Sequence, residues 1–131
     1  MGQTPQGMRQ IFYVKGGTFE GPRIRGEILS GGGDWALIRP DGTLQLDVRA
    51  TARTDDGALL YVAYGGLIFA SPEVYQRIFR GEDVPVDEYY CYGTPMYQTA
   101  APQYDWLNRV VAVGKGKIIP GAIEWRVFAL T

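Results

Sequence analysis

Apolar side chains recur mostly at every second position, in runs of strand length broken by turn signals, which is the pattern of antiparallel strands. The runs predict strands over Arg9–Lys15, Phe19–Leu29, Asp34–Arg39, Leu44–Thr54, Ala58–Phe69, Tyr89–Gln98, Arg109–Lys117 and Ile123–Leu130. Asp41-Gly42 and Asp56-Gly57 read as two-residue hairpin turns, because Gly accepts the positive φ of primed turns and Asp tolerates it. Three successive strands should therefore meander. Ser71-Pro72-Glu73 opens the one convincing helix, with a Ser N-cap, Pro in the first turn and an acid at the positive end of the dipole. It should run to about Arg80, stop near Gly81 and bury Val74, Tyr75 and Ile78. The pattern predicts an all-β chain with one short helix, folded as a compact antiparallel β-barrel.

The clearest alternation is Leu44–Arg53. Leu44, Leu46, Val48, Ala50 and Ala52 share one face, and Gln45, Asp47, Arg49, Thr51 and Arg53 share the other. Two readings follow. In one, the polar face is solvated and Asp47–Arg49 is a surface pair worth about 0–1 kcal/mol. In the other, the strand is inverted, and a carboxylate and a guanidinium two residues apart line a barrel lumen where they bind and polarise a small substrate. Inversion leaves the apolar face for the helix or a second subunit to cover. Whether Tyr61 or Tyr64 joins Asp47 depends on the hairpin register, since a one-residue slip exchanges the faces. A two-residue turn at Asp56-Gly57 favours Tyr64.

Composition narrows the chemistry. The 131 residues fit one domain, 1–131, and 46% hydrophobic residues are enough for a core. The 18 Gly and 8 Pro are dispersed, so they mark turns rather than a linker. A net charge of -1 supplies no field for a nucleic acid or an anionic membrane, and no apolar run is long enough to span a bilayer. With no His and a single Cys, the chain has no Ser-His-Asp or Cys-His nucleophile, no His-ligated or Cys₄ zinc and no intramolecular disulfide. Carboxylates, Tyr, Lys, Arg and hydroxyls are what remain. Cys91 reads as a small core residue in a reducing, cytoplasmic compartment, an N-terminus without a basic-then-apolar leader agreeing with that location.

Gly31-Gly32-Gly33-Asp34-Trp35 resembles a phosphate cradle but lacks the following helix and Lys-Ser/Thr of a P-loop, so it reads as a tight turn. Gly114-Lys115-Gly116-Lys117 fails the same test, and its glycines read as a bend where a barrel closes. Asp55-Asp56 and Asp87-Glu88 lack EF-hand spacing, and no metal is expected. Tyr104-Asp105-Trp106-Leu107-Asn108 puts two large rings and two polar side chains in a short connection. Trp106 is either a loop anchor or a stacking surface, and Asn108 either caps the turn or donates to an oxyanion.

Gly17-Thr18-Phe19-Glu20-Gly21-Pro22, Gly32-Gly33-Asp34-Trp35, Arg39-Pro40-Asp41-Gly42, Leu46-Asp47-Val48-Arg49-Ala50-Thr51, Thr54-Asp55-Asp56-Gly57-Ala58 and Tyr104-Asp105-Trp106-Leu107-Asn108-Arg109 occur in that order. In order and spacing the chain resembles the bacterial and fungal family catalogued as domain of unknown function 3237, or uncharacterised protein family 0311. The resemblance implies a compact antiparallel β-barrel, commonly dimeric, and cofactor-independent lyase, isomerase or cyclase work on small aromatic or carbonyl compounds. Members usually carry a further N-terminal strand before the segment matching Thr4–Arg9, so closure of the monomer's barrel is in question.

The resulting expectation is a cofactor-free acid–base enzyme with its site in a barrel mouth. Asp47 is the candidate base, Arg49 the anion holder, Tyr90 or Tyr64 the acid, and Trp35, Trp106, Asn108 and Thr51 the substrate contacts. The alternatives are a non-catalytic barrel that carries an aromatic metabolite and a dimeric interaction module without a pocket. A homodimer is expected from the apolar face of Leu44–Ala52, left uncovered if the polar face points inward.

Overall fold

The computed structural model describes residues 1–131. It contains β1 (Gly2–Thr4), β2 (Gly7–Tyr13), β3 (Gly17–Glu20), β4 (Arg25–Ile28), β5 (Gly33–Ile38), β6 (Leu44–Thr54), β7 (Leu59–Phe69), α1 (Pro72–Phe79), β8 (Tyr90–Gln98), β9 (Val111–Ile119) and β10 (Ala122–Leu130). One short 3₁₀ turn, Val86–Glu88, precedes β8, and a longer 3₁₀ segment, Pro102–Arg109, joins β8 to β9. All pairing is antiparallel, in the order β1-β2-β5-β6-β7-β8-β9-β10. The β3–β4 hairpin adds through β4 to Ala52–Thr54, beyond the stretch of β6 that β5 occupies. β10 pairs only with β9 and β1 only with β2, so the sheet does not close on itself.

The expected strand Phe19–Leu29 is divided in two. Pro22 has no N–H to give a ladder, and Gly21–Ile24 instead turns β3 back onto β4. The hairpin loops also differ from the expectation. Arg39 N–H bonds to the Thr43 carbonyl and Thr54 N–H to the Ala58 carbonyl, so each loop has a third residue, with Gly42 and Gly57 at φ +84° and +90° closing it. The helix follows its sequence signals: the Ser71 hydroxyl accepts from Val74 N–H, and Gly81 at φ +83° ends it. Val74, Tyr75 and Ile78 are half-buried.

The extra loop residue decides which residues of β7 share a face with Asp47. Val48 opposes Tyr64 and Asp47 opposes Gly65, so Tyr64 lies on the face opposite Asp47, and it is Tyr61, opposite Thr51, that shares the Asp47 face. Leu46, Val48, Ile68 and Cys91 form one buried cluster, packed by Tyr64, Tyr75, Tyr89, Ile118 and Trp125. Ala52, Leu60 and Leu107 form a second, packed by the β3–β4 hairpin and the Pro102–Arg109 segment. The apolar face of Leu44–Ala52 is thus inside, covered by the chain itself, and gives no ground for a dimer. The core face of the sheet is the small one, with Ala36, Ala50, Ala52 and Ala112 buried on it.

Candidate functional site

The inverted reading of β6 is corrected by the burial of its apolar face. Asp47 and Arg49 lie on the outer face with side chains 53% and 57% exposed and 3.8 Å apart, a surface pair worth about 0–1 kcal/mol. Thr51 is on the same face, in a shallow groove of about 610 Å³ with Leu59, Tyr61, Gln98 and Asn108. The Asn108 amide is already engaged: its oxygen accepts from Thr99 N–H and its nitrogen donates to the Thr99 carbonyl and to Asp105. Trp106 anchors its loop against the second cluster, with the Arg23 guanidinium 3.8 Å above its ring. Trp35 and Tyr90 are exposed, on the outer face of β5 and β8, Tyr90 against Tyr92 with ring centroids 4.7 Å apart. Of the residues expected in the site, only Tyr64 lies on the core face among polar groups.

Those polar groups come from three distant strands. Asp34 of β5 and Tyr64 of β7 flank Val48 in one row across the sheet, two strand spacings, about 10 Å, apart along the backbone. The Asp34 carboxylate takes the place of a ladder partner: its Oδ1 accepts the Asp47 N–H at 2.9 Å. Asp47 therefore contributes through its backbone. Burial raises the Asp34 carboxyl above the ordinary carboxylate range; the Asp47 hydrogen bond opposes this and the Asp47 charge adds to it. Burial likewise pushes the Tyr64 hydroxyl up to about 12, with the approach of the Trp125 indole N–H to its oxygen acting against the shift and the Asp34 charge adding to it. Tyr64 is a neutral donor at any physiological pH.

Trp125 of β10 reaches Tyr64 across two intervening strands. Gly93 of β8 and Gly114 and Gly116 of β9 present no side chain on the core face, and the indole lies over all three. It meets Tyr64 edge-on, with centroids 5.3 Å apart at 70°. A Cβ on Gly116 would stand 2.5 Å from Cys91 Sγ and 2.9 Å from the indole. The glycines of β9 are thus a floor for an aromatic ring. Gly116→Ala is expected to cost about 1–3 kcal/mol by overpacking and to change the near-UV circular dichroism of Trp125; thermal denaturation and that spectrum check it together.

The indole Nε1–H is buried and meets no acceptor within hydrogen-bonding distance and angle, the Tyr64 hydroxyl being the polar group nearest to engaging it. A buried donor left unmet costs roughly 1–3 kcal/mol, and such groups are rare enough to require a reason. Here it lies beside a second donor, Tyr64, with a raised-pKa carboxyl across Val48. Two neutral donors and one carboxyl on one face can hold a carbonyl or phenol oxygen and exchange a proton with it. Cys91, beside this cluster, is inert: burial pushes its thiol up to about 11.

The model of the family described as "Protein of unknown function (DUF3237)" matches residues 1–130. The chain belongs to this family. It is 34% identical over 113 residues to the UPF0311 protein RPA1785 of Rhodopseudomonas palustris, covering 86% of this chain and 74% of that one. The crystal structure of RPA1785, a protein of unknown function, aligns with a TM-score of 0.94 at 30% identity over 100% of this chain and 86% of its own. A β-barrel-like protein of Acinetobacter baumannii aligns at 0.85 with 36% identity, over 99% and 83%. A crystal structure of an enzyme from Penicillium herquei aligns at 0.63 with 23% identity, over 96% and 80%, a likeness of fold alone. These neighbours agree with the barrel-like sheet seen here.

Sequence reasoning missed Asp34 and Trp125. Asp34 stood inside a motif but was read as part of a turn. A signal for Trp125 was present in Gly114-Lys115-Gly116: glycines two apart in a strand clear one face, and a large ring in the next strand is what fills such a strip.

Proposed function

We propose that this DUF3237 chain is a cofactor-independent enzyme that moves a proton on a small aromatic or carbonyl compound, as a lyase, isomerase or cyclase does. The observation that carries this reading is the unpartnered Trp125 Nε1–H beside Tyr64, across Val48 from Asp34. Asp34, ionised, takes a proton from the carbon or hydroxyl next to a substrate carbonyl. Tyr64 O–H and Trp125 Nε1–H donate to the carbonyl oxygen, where negative charge develops. A raised carboxyl pKa improves the base near neutral pH, because proton transfer is most effective when the pKa approaches the working pH. A purely carrying barrel needs no carboxyl in its apolar interior, so Asp34 favours the enzyme over the carrier. The reading keeps a small-molecule substrate, a homodimer and a reducing cytoplasmic setting. No helix is long and apolar enough to cross a membrane.

The test is co-crystallisation with a panel of phenolic acids and phenolic enones. The reading predicts a ligand on the core face beside Asp34, with an oxygen on Tyr64 and Trp125. A ligand found only in the outer groove of Thr51, Tyr61 and Gln98 would overturn it.

A further inference from the structure

The outer face of the sheet carries a groove that the chemistry of Asp34, Tyr64 and Trp125 does not use. Thr51 of β6, Tyr61 of β7 and Gln98 of β8 stand opposite one another in a single row across three strands, on the face away from Tyr64. Together with Leu59 they border a volume of about 610 Å³ that is open to solvent. Tyr61 and Leu59, 38% and 58% exposed, give it an apolar floor.

One wall of the groove is fixed by hydrogen bonds. The Thr99 hydroxyl donates to the Leu59 carbonyl at 2.8 Å and accepts from Ala101 N–H at 3.2 Å. The Asn108 amide brackets the Thr99 backbone as a neighbouring strand would, accepting its N–H at 2.9 Å and donating to its carbonyl at 3.0 Å. These bonds tie the end of β8 to the start of β7, so the wall is in place before any ligand arrives.

The charges at the rim are already matched. Arg53, opposite Leu59, is bonded to Glu27 at 2.5 Å; Arg49, opposite Ala63, has Asp47 at 3.8 Å; Arg109, next to Asn108, has Asp105 at 2.6 Å. Each of these three cations faces an acid of its own chain, which leaves little net charge to attract an anion. What the groove itself offers is neutral: the Thr51 and Tyr61 hydroxyls and the Gln98 amide, none of which makes a hydrogen bond within the chain. All three both donate and accept. A flat phenol gains its affinity from enclosure over most of its surface, and an open groove supplies little. A pyranose ring has the matching character, with no charge, hydroxyls around its edge that donate and accept, and a face of C–H groups that suits the electron-rich face of a tyrosine ring.

We propose that this groove binds a neutral oligosaccharide, one pyranose ring lying with its C–H face on Tyr61 and its hydroxyls bonded to Thr51 and Gln98. A second ring of the same chain covers Leu59, two positions along β7. The inference rests on the outer face alone, and it survives if the acid–base chemistry of the core face fails.

The experiment is a ¹H–¹⁵N titration of the full chain with cellohexaose, maltohexaose and xylohexaose. At least one sugar is expected to shift the amide signals of Thr51, Tyr61 and Gln98 saturably, with a dissociation constant between about 10 µM and 1 mM, while the indole signal of Trp125 holds its position. Because the ligand is neutral, raising NaCl from about 20 to 500 mM should change that constant less than 2-fold. Tyr61→Ala removes the stacking surface and should weaken binding at least about 10-fold, whereas Tyr61→Phe keeps the ring and should cost no more than about 5-fold. Gln98→Ala should cost about 3- to 10-fold. These side chains lie on the solvent side of the sheet, so each variant should melt within about 3 °C of wild type. No saturable shift with any of the three sugars, shifts confined to the core face, or a constant that Tyr61→Ala leaves unchanged would overturn the proposal.

Discussion

Asp34→Asn is expected to lower turnover by about 10²–10⁴, the usual worth of one acid–base group, with little change in folding. The amide keeps the volume, and its Oδ1 still accepts the Asp47 N–H that holds the wild-type carboxylate at 2.9 Å. What disappears is the proton acceptor. The loss should fall on kcat more than on KM, because the Tyr64 and Trp125 donors proposed to hold the substrate oxygen remain. The pH profile gives an independent check. The base works ionised and its pKa is raised by burial, so wild-type activity should fall as pH drops through a value above the ordinary carboxylate range. The same limb should be missing from the residual activity of Asp34→Asn. Steady-state kinetics across pH, beside a thermal melt of each variant, measures both effects.

The second large effect belongs to the core that carries the site. Ile68 is 1% exposed, opposite Leu44 on one side and Cys91 on the other, in the cluster that also packs Tyr64 and Trp125. Ile68→Ala removes buried methylenes and leaves a cavity among strands that hydrogen-bonding holds in place, so a loss of about 2–5 kcal/mol is expected. A fall in Tm of roughly 10 °C or more should accompany it. Phe79→Ala, at the exposed end of α1 with its side chain 83% in solvent, should change stability by less than about 0.5 kcal/mol. Urea denaturation of the two variants side by side distinguishes core from surface.

Much of the fold was legible because period-two patterning reports which residues share a face. Strands β5 to β10 and the capped helix fall within a few residues of their expected bounds. The pattern does not say which face is inside; that depends on what covers each face, here Tyr75, Tyr89, Ile118 and Trp125 over Leu46 and Val48. A third residue in the Asp55-Asp56-Gly57 loop slides β7 by one position, which puts Tyr64 on the face of Val48 and Tyr61 on the face of Asp47. The site was less legible still. Asp34, Tyr64 and Trp125 lie 30 and 61 positions apart along the chain and meet only through sheet order and a strip of glycines. Asn108 and Thr51 were chosen for their polar groups, and no local pattern reveals that the Asn108 amide is consumed by Thr99 and Asp105.

The claim that Asp34, Tyr64 and Trp125 form one ligand site is tested most directly by the indole N–H signal of Trp125. The chain has three tryptophans, and Trp125→Phe identifies its signal in a ¹H–¹⁵N spectrum. On titration with phenolic enones and phenolic acids, at least one compound should shift that signal saturably, as an unmet donor gains an acceptor, and Tyr64→Phe should weaken the binding. Trp35, on the outer face of β5, and Trp106, in the Pro102–Arg109 segment, should hold their positions. If every compound leaves the Trp125 signal unmoved, or moves it equally in Tyr64→Phe, the cluster is not the site.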